Sequence, residues 1–416
     1  MASRKAASRR NKSENSSHTR VPEVPGFRFA GIRCGIKAKT RDLALVVSDV
    51  PATVAGVFTQ STVVGAPVEW CRECLKKGKG AARALIVNSG ISNVAMGARG
   101  KRDNLEVAAL VAKQLAIPQS QVMTAATGVI GEPLPMKKLR TGIPKVAAKL
   151  APGGLADAAE AIRTTDTFAK TAIRRVRVGG KLVTVAGSAT GSGMSEPQMA
   201  TMLAYVFTDA DVAAPLLRRL VKQTADVTFN RLTIDGETST SDTFMAFANG
   251  VAGNATLRST GSPGTTRFAK ALREVAEDLV RDLARDGEGA TKLVTIDVKG
   301  AATAAQAELA ARRIANSALV KTALFGRDPN WGRILQTLGA GRVEIREAKA
   351  RIRLCGVTVF ARGASTGPAA RKRAYGRMGG REIAIEVDLA SGSSATRMWT
   401  CDFSYDYVRI NAEYTT

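Results

Sequence analysis

The sequence predicts a layered α/β or α+β fold. Two apolar runs, residues 84–87 and 121–127, end in the glycine-containing turns Asn88-Ser89-Gly90 and Thr127-Gly128. Between them, residues 105–115 carry apolar side chains at helical spacing. Strands that end in glycine-containing loops and are followed by helices are typical of folds in which helices pack on a sheet.

The first part of the chain reads as a tail followed by the start of a core. Residues 1–24 are rich in Ser, Arg, Lys and Asn, and they lack both the apolar face of a transit peptide and the apolar run of a secretory signal. We therefore predict a disordered basic tail. Short β-type runs at residues 43–47 and 55–58 open a core that we extend to residue 285.

The second part begins after a long amphipathic helix. Apolar residues recur every three or four positions over residues 268–283, and the pattern stops at Asp286-Gly287-Glu288-Gly289. A domain boundary near Asp286 would leave a core of residues 25–285 and a smaller α/β domain of residues 286–416. In the smaller domain the pattern predicts a helix at residues 304–317 and strands at residues 293–298, 343–345, 352–359 and 383–387.

Composition limits the classes of function. The chain has 416 residues, 45% of them hydrophobic, and no apolar run of roughly 18 residues that could span a membrane. The net charge of +25 first suggests nucleic-acid binding. The basic residues are dispersed, however, and no zinc-finger or RNP-type signature is present, so we favour a basic surface that attracts anionic metabolites.

Cysteine usage indicates a reducing compartment. Five cysteines at irregular spacing favour free thiols and a cytoplasmic protein. Cys71 and Cys74 form a lone CxxC without a second pair, so we interpret them as a coincidence on a helix and expect no metal.

Thr201 is the strongest candidate for a catalytic residue. His18 is the one histidine and lies in the polar tail, which excludes histidine-based triads and HExxH zinc sites, and no Walker A sequence exists. Thr201 follows Ala200, just after the Gly/Ser/Pro-rich loop of residues 191–197. If the chain cuts itself between these two residues, Thr201 acquires a free α-amine, so that one residue supplies both the nucleophile and its base.

Other polar positions have a structural and a functional interpretation. The Thr127 hydroxyl beside the Gly128 amide could stabilise an oxyanion, or the pair could be a plain strand-to-turn transition. Thr164 and its neighbours could bind a substrate or cap a helix. Glu288 lies in a loop that could simply end a helix, and the hydroxyl-rich residues 230–243 could form a hairpin or a loop.

Several motifs together resemble one family. They are residues 126–135 (ATGVIGEPLP), 191–203 (GSGMSEPQMATML), 233–243 (TIDGETSTSDT), 328–333 (DPNWGR) and 407–414 (YVRINAEY). The chain from about Pro25 to Thr416 resembles the glutamate N-acetyltransferase / ornithine acetyltransferase (ArgJ) family of arginine biosynthesis.

This resemblance implies a fold, a processing step and a set of site residues. The fold is a layered αββα core of the DmpA/ArgJ type with a smaller C-terminal α/β domain, whose last residues return to the active site. Cleavage between Ala200 and Thr201 yields an α chain of residues 1–200 and a β chain of residues 201–416, which assemble as a heterotetramer of two α and two β chains. The implied roles are nucleophile for Thr201, oxyanion hole for Thr127 and Gly128, and substrate binding for Thr164, Thr190, Thr201, Glu288, Asn411 and Thr416.

The implied activity is transfer of an acetyl group from N2-acetylornithine to glutamate. No metal or organic cofactor is required, and the resemblance allows acetyl-CoA as a second acetyl donor. The partners implied are the small-molecule substrates and the second chain, with no membrane and no specific nucleic acid.

Three positions depart from the family pattern and keep alternatives open. Thr190 stands where the family usually has Lys, Ile91-Ser92 replace the usual Asn-Ala, and Gln198 stands where Asn or Asp is common. A divergent paralogue, acting as a Thr-nucleophile acyltransferase or amidohydrolase on a different N-acyl amino acid, is therefore the alternative. A non-enzymatic basic binding protein is a third hypothesis.

Overall fold

The computed structural model describes residues 23–78, 80–194, 196 and 202–413. The predicted tail up to residue 22, Gln198, the Ala200–Thr201 junction and Thr416 lie outside these residues. Within the described ranges, no helix has the length and apolar character needed to cross a membrane.

The first sheet occupies the chain up to residue 248, and helices alternate with its strands. The strands are β1 (Phe27–Ile32), β2 (Leu43–Phe58), β3 (Ala81–Ile91), β4 (Val122–Val129), β5 (Lys170–Val178), β6 (Lys181–Thr190), β7 (Leu203–Thr208) and β8 (Thr243–Ala248). The helices are α1 (Ala66–Lys77), α2 (Gly97–Leu115), α3 (Met136–Ala147), α4 (Leu155–Ile162), α5 (Ala214–Val227) and α6 (Pro263–Arg285). The strands lie in the order β4-β3-β2-β8-β7-β6-β5, and β1 pairs with β2.

The sheet divides into two halves along β2. The first part of β2 pairs with β1 and β3, the last part pairs with β8, and the register against β3 shifts between Val47 and Ala52. Pro51 lies in this break, where the N–H that proline lacks is not needed for a hydrogen bond between strands. The prediction of two separate strands at residues 43–47 and 55–58 was therefore wrong. Both runs belong to the single strand β2, and an irregularity in its pairing, not a loop, lies between them.

The two halves of the sheet pack face to face. Phe29 on β1 meets Phe207 on β7 with ring centroids 5.2 Å apart, and Phe207 meets Phe247 on β8 at 5.4 Å. Successive side chains of a strand point to opposite faces. Tyr205 and Phe207 accordingly lie in the core between the two halves, whereas Val206 lies in the core on the other side of β7.

Helices cover both outer faces, so the predicted αββα core is confirmed. Apolar side chains of α2 and α3, such as Val107 and Leu139, share a core with the β1–β4 half. Those of α5 and α6 share a core with the β5–β8 half. Helix α6 contains the predicted amphipathic residues 268–283; it begins after Ser262, whose hydroxyl accepts the Thr265 N–H at 3.2 Å as an N-cap.

A second sheet follows α6. Its strands are β9 (Leu293–Ala301), β10 (Arg351–Leu354), β11 (Val357–Ala361), β12 (Ala364–Ser365), β13 (Glu382–Asp388) and β14 (Ser394–Cys401), in the order β12-β11-β10-β13-β9-β14. Its helices are α7 (Ala304–Asn316), α8 (Ala318–Phe325), α9 (Trp331–Ala340), α10 (Pro368–Arg377) and α11 (Tyr405–Glu413). The sheet has its own apolar core, but Leu293, Trp399 and Cys401 pack into the core of α5 and α6. A division into domains of residues 25–285 and 286–416 stays a prediction.

Two strand predictions in this second region were wrong. Residues 343–345 form a loop, because the Val343 N–H bonds to the end of α9 and the Glu344 N–H bonds to the Gln306 side chain at 3.0 Å instead of to a strand. Residues 352–359 form two strands, β10 and β11. The turn between them uses positive φ at Cys355 (48°) and Gly356 (76°), which reverses the chain.

Candidate active site

Strands β3 and β4 run parallel and come very close together near their ends. Gly128 pairs with Gly90, and its φ of 126° is a conformation that residues with a side chain rarely adopt. A Cβ added at Gly128 would lie 2.3 Å from the Gly90 carbonyl carbon. The Thr127 hydroxyl next to it forms no hydrogen bond with any residue that the structure describes. Glycine at position 128 is thus required by packing, and an available hydroxyl stands beside it.

A cavity of ≈ 90 Å³ lies at this strand end and gathers residues from seven segments of the chain. Its walls are polar and rich in hydroxyl groups, and among its described lining residues Glu288 carries the charge. The lining comprises Ser92, Thr127, Gly128, Ile130, Thr164, Thr165, Gly193, Met194, Ser239, Thr240, Ser241, Glu288 and Asn411. A larger and more open cleft of ≈ 460 Å³ beside Arg397 contains none of the residues predicted from the sequence.

The cavity brings together five of the residues predicted for the site, Thr127, Gly128, Thr164, Glu288 and Asn411. Thr190 is not part of the lining, and Ala200, Thr201 and Thr416 lie outside the described residues. Sequence reasoning did not assign Thr165, Met194 or the run Ser239-Thr240-Ser241. The density of hydroxyl residues between positions 238 and 243 was the signal for that run, but a loop was its default interpretation.

Glu288 is held at the cavity by its backbone and by its carboxylate. Its N–H donates to the Ser192 carbonyl at 2.8 Å, and the Asn411 side-chain amide donates to its Oε2 at 2.9 Å. A Cβ added at Gly193 would lie 2.5 Å from this carboxyl group, so glycine leaves the space that Glu288 fills. A positioned, buried carboxylate at a cavity wall favours a ligand with an ammonium group.

Helix α11, which carries Asn411, is fixed by the segment that precedes it. The Asp402 carboxylate accepts the backbone N–H groups of Thr291 and Lys292, both at 2.8 Å. The Ser404 hydroxyl donates to the Gly289 carbonyl at 2.5 Å. The segment after α6 and the C-terminal helix are therefore bonded to each other immediately beside Glu288, which explains how residues 123 positions apart meet.

A buried network of charged side chains, Asp166, Lys170 and Asp286, lies behind the cavity. The Lys170 ammonium contacts Asp166 Oδ1 and Asp286 Oδ2, each at 2.6 Å, and the exposed fractions of the three side chains are 0%, 0% and 3%. Burial alone would raise the pKa of Asp166, but the Lys170 ammonium and the hydrogen bond from Thr190 outweigh it and hold that pKa below its usual value. This buried network links the loops that follow α4, β6 and α6, all of which line the cavity.

Thr190 belongs to this buried network rather than to the cavity wall. Its hydroxyl donates to Asp166 Oδ2 at 2.6 Å, and the next N–H, that of Gly191, donates to Asp166 Oδ1 at 3.1 Å. The residue is 2% exposed. Its predicted contact with substrate stays a prediction, and the described geometry gives its hydroxyl a different partner.

The start of β7 connects the cavity to Thr201. Met202, the residue bonded to Thr201, donates its N–H to Asp242 Oδ1 at 2.9 Å, and its carbonyl accepts the Thr243 N–H at 3.0 Å. Asp242 directly follows Ser241 of the cavity wall. The chain that enters β7 is thus anchored on the hydroxyl-rich loop, and Thr201 is attached covalently to the anchored residue.

The similarity to known proteins extends over almost the whole chain. A family model described as "ArgJ family" matches residues 28–416. The chain is 44% identical over 394 residues to the arginine biosynthesis bifunctional protein ArgJ of Geobacter sulfurreducens, covering 94% of this chain and 100% of that protein. It is 41% identical over 396 residues to the protein of the same name from Bacillus subtilis, covering 95% and 96%. The crystal structure of ArgJ from Bacillus halodurans is 39% identical, covers 50% of this chain and 98% of its own, and has a TM-score of 0.49.

Proposed function

The chain belongs to the ArgJ family, and from this premise we propose the reaction and the role of each site residue. The protein is an acetyltransferase of arginine biosynthesis that moves an acetyl group from N2-acetylornithine to glutamate. The observation that carries the assignment of residues is the single cavity that contains Thr127, Gly128, Glu288 and Asn411 next to the anchored start of β7.

The first half-reaction uses Thr201 as nucleophile after cleavage of the chain. An α-amine has a pKa of about 7.7–8.0, so a usable fraction is unprotonated near neutral pH. This amine takes the proton from the Thr201 hydroxyl as Oγ attacks the acetyl carbonyl carbon. When the tetrahedral intermediate collapses, the bond from the acetyl carbon to the ornithine nitrogen breaks and the amine returns its proton to that nitrogen.

The second half-reaction regenerates the enzyme. The amino group of glutamate attacks the acetyl ester on Thr201, and the Thr201 α-amine takes a proton from the attacking nitrogen. The intermediate then collapses, N-acetylglutamate leaves, and the resulting ammonium returns that proton to the Thr201 oxygen. Both intermediates carry an oxyanion, which the Thr127 hydroxyl and the Gly128 N–H stabilise. Loss of one such donor typically costs about 2.7–4 kcal/mol of barrier. Acetyl-CoA is a second donor to the same threonine.

Glu288 selects the substrate by charge. Its carboxylate, positioned by Asn411, pairs with the ammonium group of the ornithine side chain. Thr164 and, beyond the described residues, Thr416 contribute polar contacts. Thr190 affects substrate binding indirectly. Its hydroxyl holds the Asp166 carboxylate, and this carboxylate accepts the Thr164 N–H at 2.9 Å and so positions the loop that carries Thr164.

Processing and assembly complete the proposal. The chain cuts itself between Ala200 and Thr201, and the two products, residues 1–200 and 201–416, assemble in the cytoplasm as a heterotetramer of two α and two β chains. The hydrogen-bonded pairing of β6 with β7 supports this arrangement, because it would keep the two products associated after the cut.

Intact mass and acetyl exchange test this proposal together. The purified protein should show two masses that correspond to a cut before Thr201, and the Thr201→Ala variant should show one uncut mass. The cut protein should exchange acetyl between N2-acetylornithine and glutamate, and the variant should not. Full cleavage without any exchange would refute the transferase reaction, and an uncut wild-type chain would refute the nucleophile.

A second candidate keeps the nucleophile and changes the substrate. Among the described lining residues of the cavity there is no cationic side chain to pair with the carboxylates of glutamate, and the nearby Lys170 is enclosed by two aspartates. This observation favours an acyltransferase or amidohydrolase that acts on another N-acyl amino acid. A panel of N-acyl amino acids distinguishes the two: turnover of acetylornithine alone would rule out the second candidate.

A further inference from the structure

Lys37 is a half-buried cation beside the cavity, and none of the roles above uses it. The amino-acid substrates of the proposed reaction carry an α-carboxylate, for which the described lining of the cavity offers no positive charge. We propose that the Lys37 ammonium binds this α-carboxylate in both half-reactions. The inference rests on the proposed function, and it holds for either candidate substrate, because other N-acyl amino acids have the same group.

Two contacts place the Lys37 side chain next to the cavity. A Cβ added at Gly90 would lie 3.1 Å from Lys37 Cγ, and Gly90 pairs with Gly128 of the cavity wall. The Lys37 Nζ donates to the Arg163 carbonyl at 2.7 Å, and this carbonyl belongs to the peptide that leads into Thr164, which also lines the cavity. The side chain therefore extends from the end of β3 to the loop after α4, and both of these adjoin the cavity.

The loop that carries Lys37 is fixed by a buried carboxylate. Asp42 is 0% exposed and accepts the backbone N–H groups of Cys34 at 2.6 Å, Gly35 at 3.0 Å and Lys37 at 2.9 Å. These bonds occupy the Asp42 carboxylate with backbone groups. Lys37 is thus held at its backbone and at its Nζ, and a binding group positioned in this way loses little entropy when it takes a ligand.

The Lys37 ammonium has hydrogen-bond donors available for a ligand. An ammonium group can donate three hydrogen bonds, and the Arg163 carbonyl accepts one from Lys37. Among the described residues, no carboxylate forms an ion pair with Lys37. Burial lowers the pKa of Lys37 below its usual value; the Asp42 charge opposes this effect, and the Arg163 charge adds to it. A bound carboxylate would supply a counter-charge and form charge-assisted hydrogen bonds.

Two other cations near the cavity already have acidic partners. Lys170 is enclosed by two aspartates, and the Arg163 guanidinium lies 2.5 Å from Glu160. Of these three cations, Lys37 is therefore the one whose charge is available to a substrate.

The structure of the substrate brings its carboxylate to this side of the cavity. In N2-acetylornithine only the nitrogen and Cα separate the α-carboxylate from the acetyl carbonyl carbon, so the two carbons lie about 3–4 Å apart. With the carbonyl oxygen bound by Thr127 and Gly128, the carboxylate lies near the ends of β3 and β4, where the Lys37 side chain packs. The ammonium at the other end of the substrate pairs with Glu288. Because the α-carboxylate of glutamate has the same position relative to its amino group, one cation serves both half-reactions.

Substitutions that remove or keep the charge test the proposal. Lys37→Met keeps the apolar stem without the ammonium, and Lys37→Arg keeps a cation. The control is Lys138→Met: the Lys138 Nζ also donates to a backbone carbonyl, that of Gly35 in the same loop, but Lys138 is not part of the cavity wall. Circular dichroism verifies that each variant folds. If Lys37→Met does not fold, Lys37→Gln, which keeps an N–H donor for the Arg163 carbonyl, takes its place.

The assay compares two acetyl donors that differ only in the carboxylate. They are N2-acetylornithine and N-acetylputrescine, which is the same molecule without its carboxylate. Acetyl transfer from each donor to glutamate is followed, and kcat/KM for the donor is measured. In a ping-pong reaction this ratio does not depend on the acceptor, so it reports on the donor alone.

We expect Lys37→Met to lower kcat/KM for N2-acetylornithine by about ten- to a hundredfold, which corresponds to the loss of one hydrogen bond between charged groups. The same variant should leave kcat/KM for N-acetylputrescine unchanged within about twofold. The kcat/KM for glutamate should fall by a factor similar to that for N2-acetylornithine, and Lys37→Arg should recover most of both losses. Lys138→Met should match wild type with both donors.

Other outcomes overturn the inference in distinguishable ways. Equal losses for the two donors, or no loss for either, would mean that Lys37 does not bind the carboxylate, while the proposed function stands. A comparable selective loss in Lys138→Met would assign the effect to the loop instead of to the Lys37 charge. If wild type transfers acetyl from neither donor nor from any other N-acyl amino acid, the proposed function fails and the inference fails with it.

Discussion

Removal of the Lys170 ammonium should destabilise the protein more than any surface ion pair would suggest. Lys170→Met keeps the length and apolar character of the side chain but leaves Asp166 and Asp286 buried at 0% and 3% exposure without their cation. When one partner of a buried ion pair is removed, the uncompensated charge typically costs about 3–5 kcal/mol. We expect a loss in that range at pH 7.

The matched control is an exposed pair with the same geometry. Lys222 lies 2.6 Å from Asp226, the same distance as in the buried pairs, but the two side chains are 69% and 44% exposed. Lys222→Met should cost about 0.5 kcal/mol or less, because solvent screens the attraction and holding two long side chains together costs entropy. The distance and the substitution are identical, so the comparison measures the effect of burial together with that of the second aspartate that Lys170 contacts.

The loss should also depend on pH with a definite sign. The pKa of Asp166 lies below its usual value in the folded protein, so its contribution to stability is present above the unfolded pKa near 3.8 and is lost as the pH falls through the folded value. Without Lys170, burial should raise that pKa instead, and the variant should lose stability as the pH rises above 3.8. The difference between variant and wild type should therefore be larger at pH 7 than at pH 4.

Urea denaturation followed by circular dichroism measures both effects through the extrapolated free energy of unfolding. The reasoning would be refuted if Lys170→Met lay within about 1 kcal/mol of Lys222→Met at pH 7, or if its deficit were larger at pH 4 than at pH 7. Either result would mean that the two aspartates are already neutral or solvated in the native protein.

Two further predictions concern the cavity itself. Gly128→Ala should slow acetyl exchange by about a hundredfold or more, because its Cβ would lie 2.3 Å from the Gly90 backbone and would displace the oxyanion donors. The control is Gly131→Ala, at a position with φ of 82° and open space around it, which should cost only about 1 kcal/mol of strain. Equal activity in both variants would contradict the argument. Asn411→Ala removes the hydrogen bond to Glu288, worth about 1.5–3 kcal/mol for a charged acceptor. Steady-state kinetics should show this mainly as a higher KM for acetylornithine, and an unchanged KM would exclude Glu288 as the group that binds its ammonium.

Much of the fold follows from local sequence. The apolar spacing of residues 268–283 identifies α6, and the glycine that follows Thr127 marks the close approach of β3 and β4. These features depend on periodicity and on the conformational limits of single residues, which act over a few positions. The two errors near residues 343 and 355 arose in short β-type runs. A side-chain acceptor on α7 binds the backbone of the first run, and a turn with positive φ interrupts the second in its middle.

The site depends on contacts that no local pattern encodes. The resemblance to the family predicts that Thr190 contacts substrate. In the structure its hydroxyl donates to Asp166, 24 positions earlier, in the protein interior. Asp242 is one polar residue in a hydroxyl-rich loop of the sequence, and only the structure shows that its carboxylate accepts the N–H of Met202, 40 positions earlier.

What the sequence determined by itself is the layered fold class, the family and the candidate nucleophile, because these rest on short-range spacing and on motifs contiguous in the chain. What the tertiary structure decided is which side chains share one cavity and which of them support it from behind. Those choices are made by long-range packing: the register shift in β2, the docking of α11 and the burial of Lys170 bring distant segments together. Burial then raises the pKa of Asp242, whereas the Lys170 ammonium lowers that of Asp166.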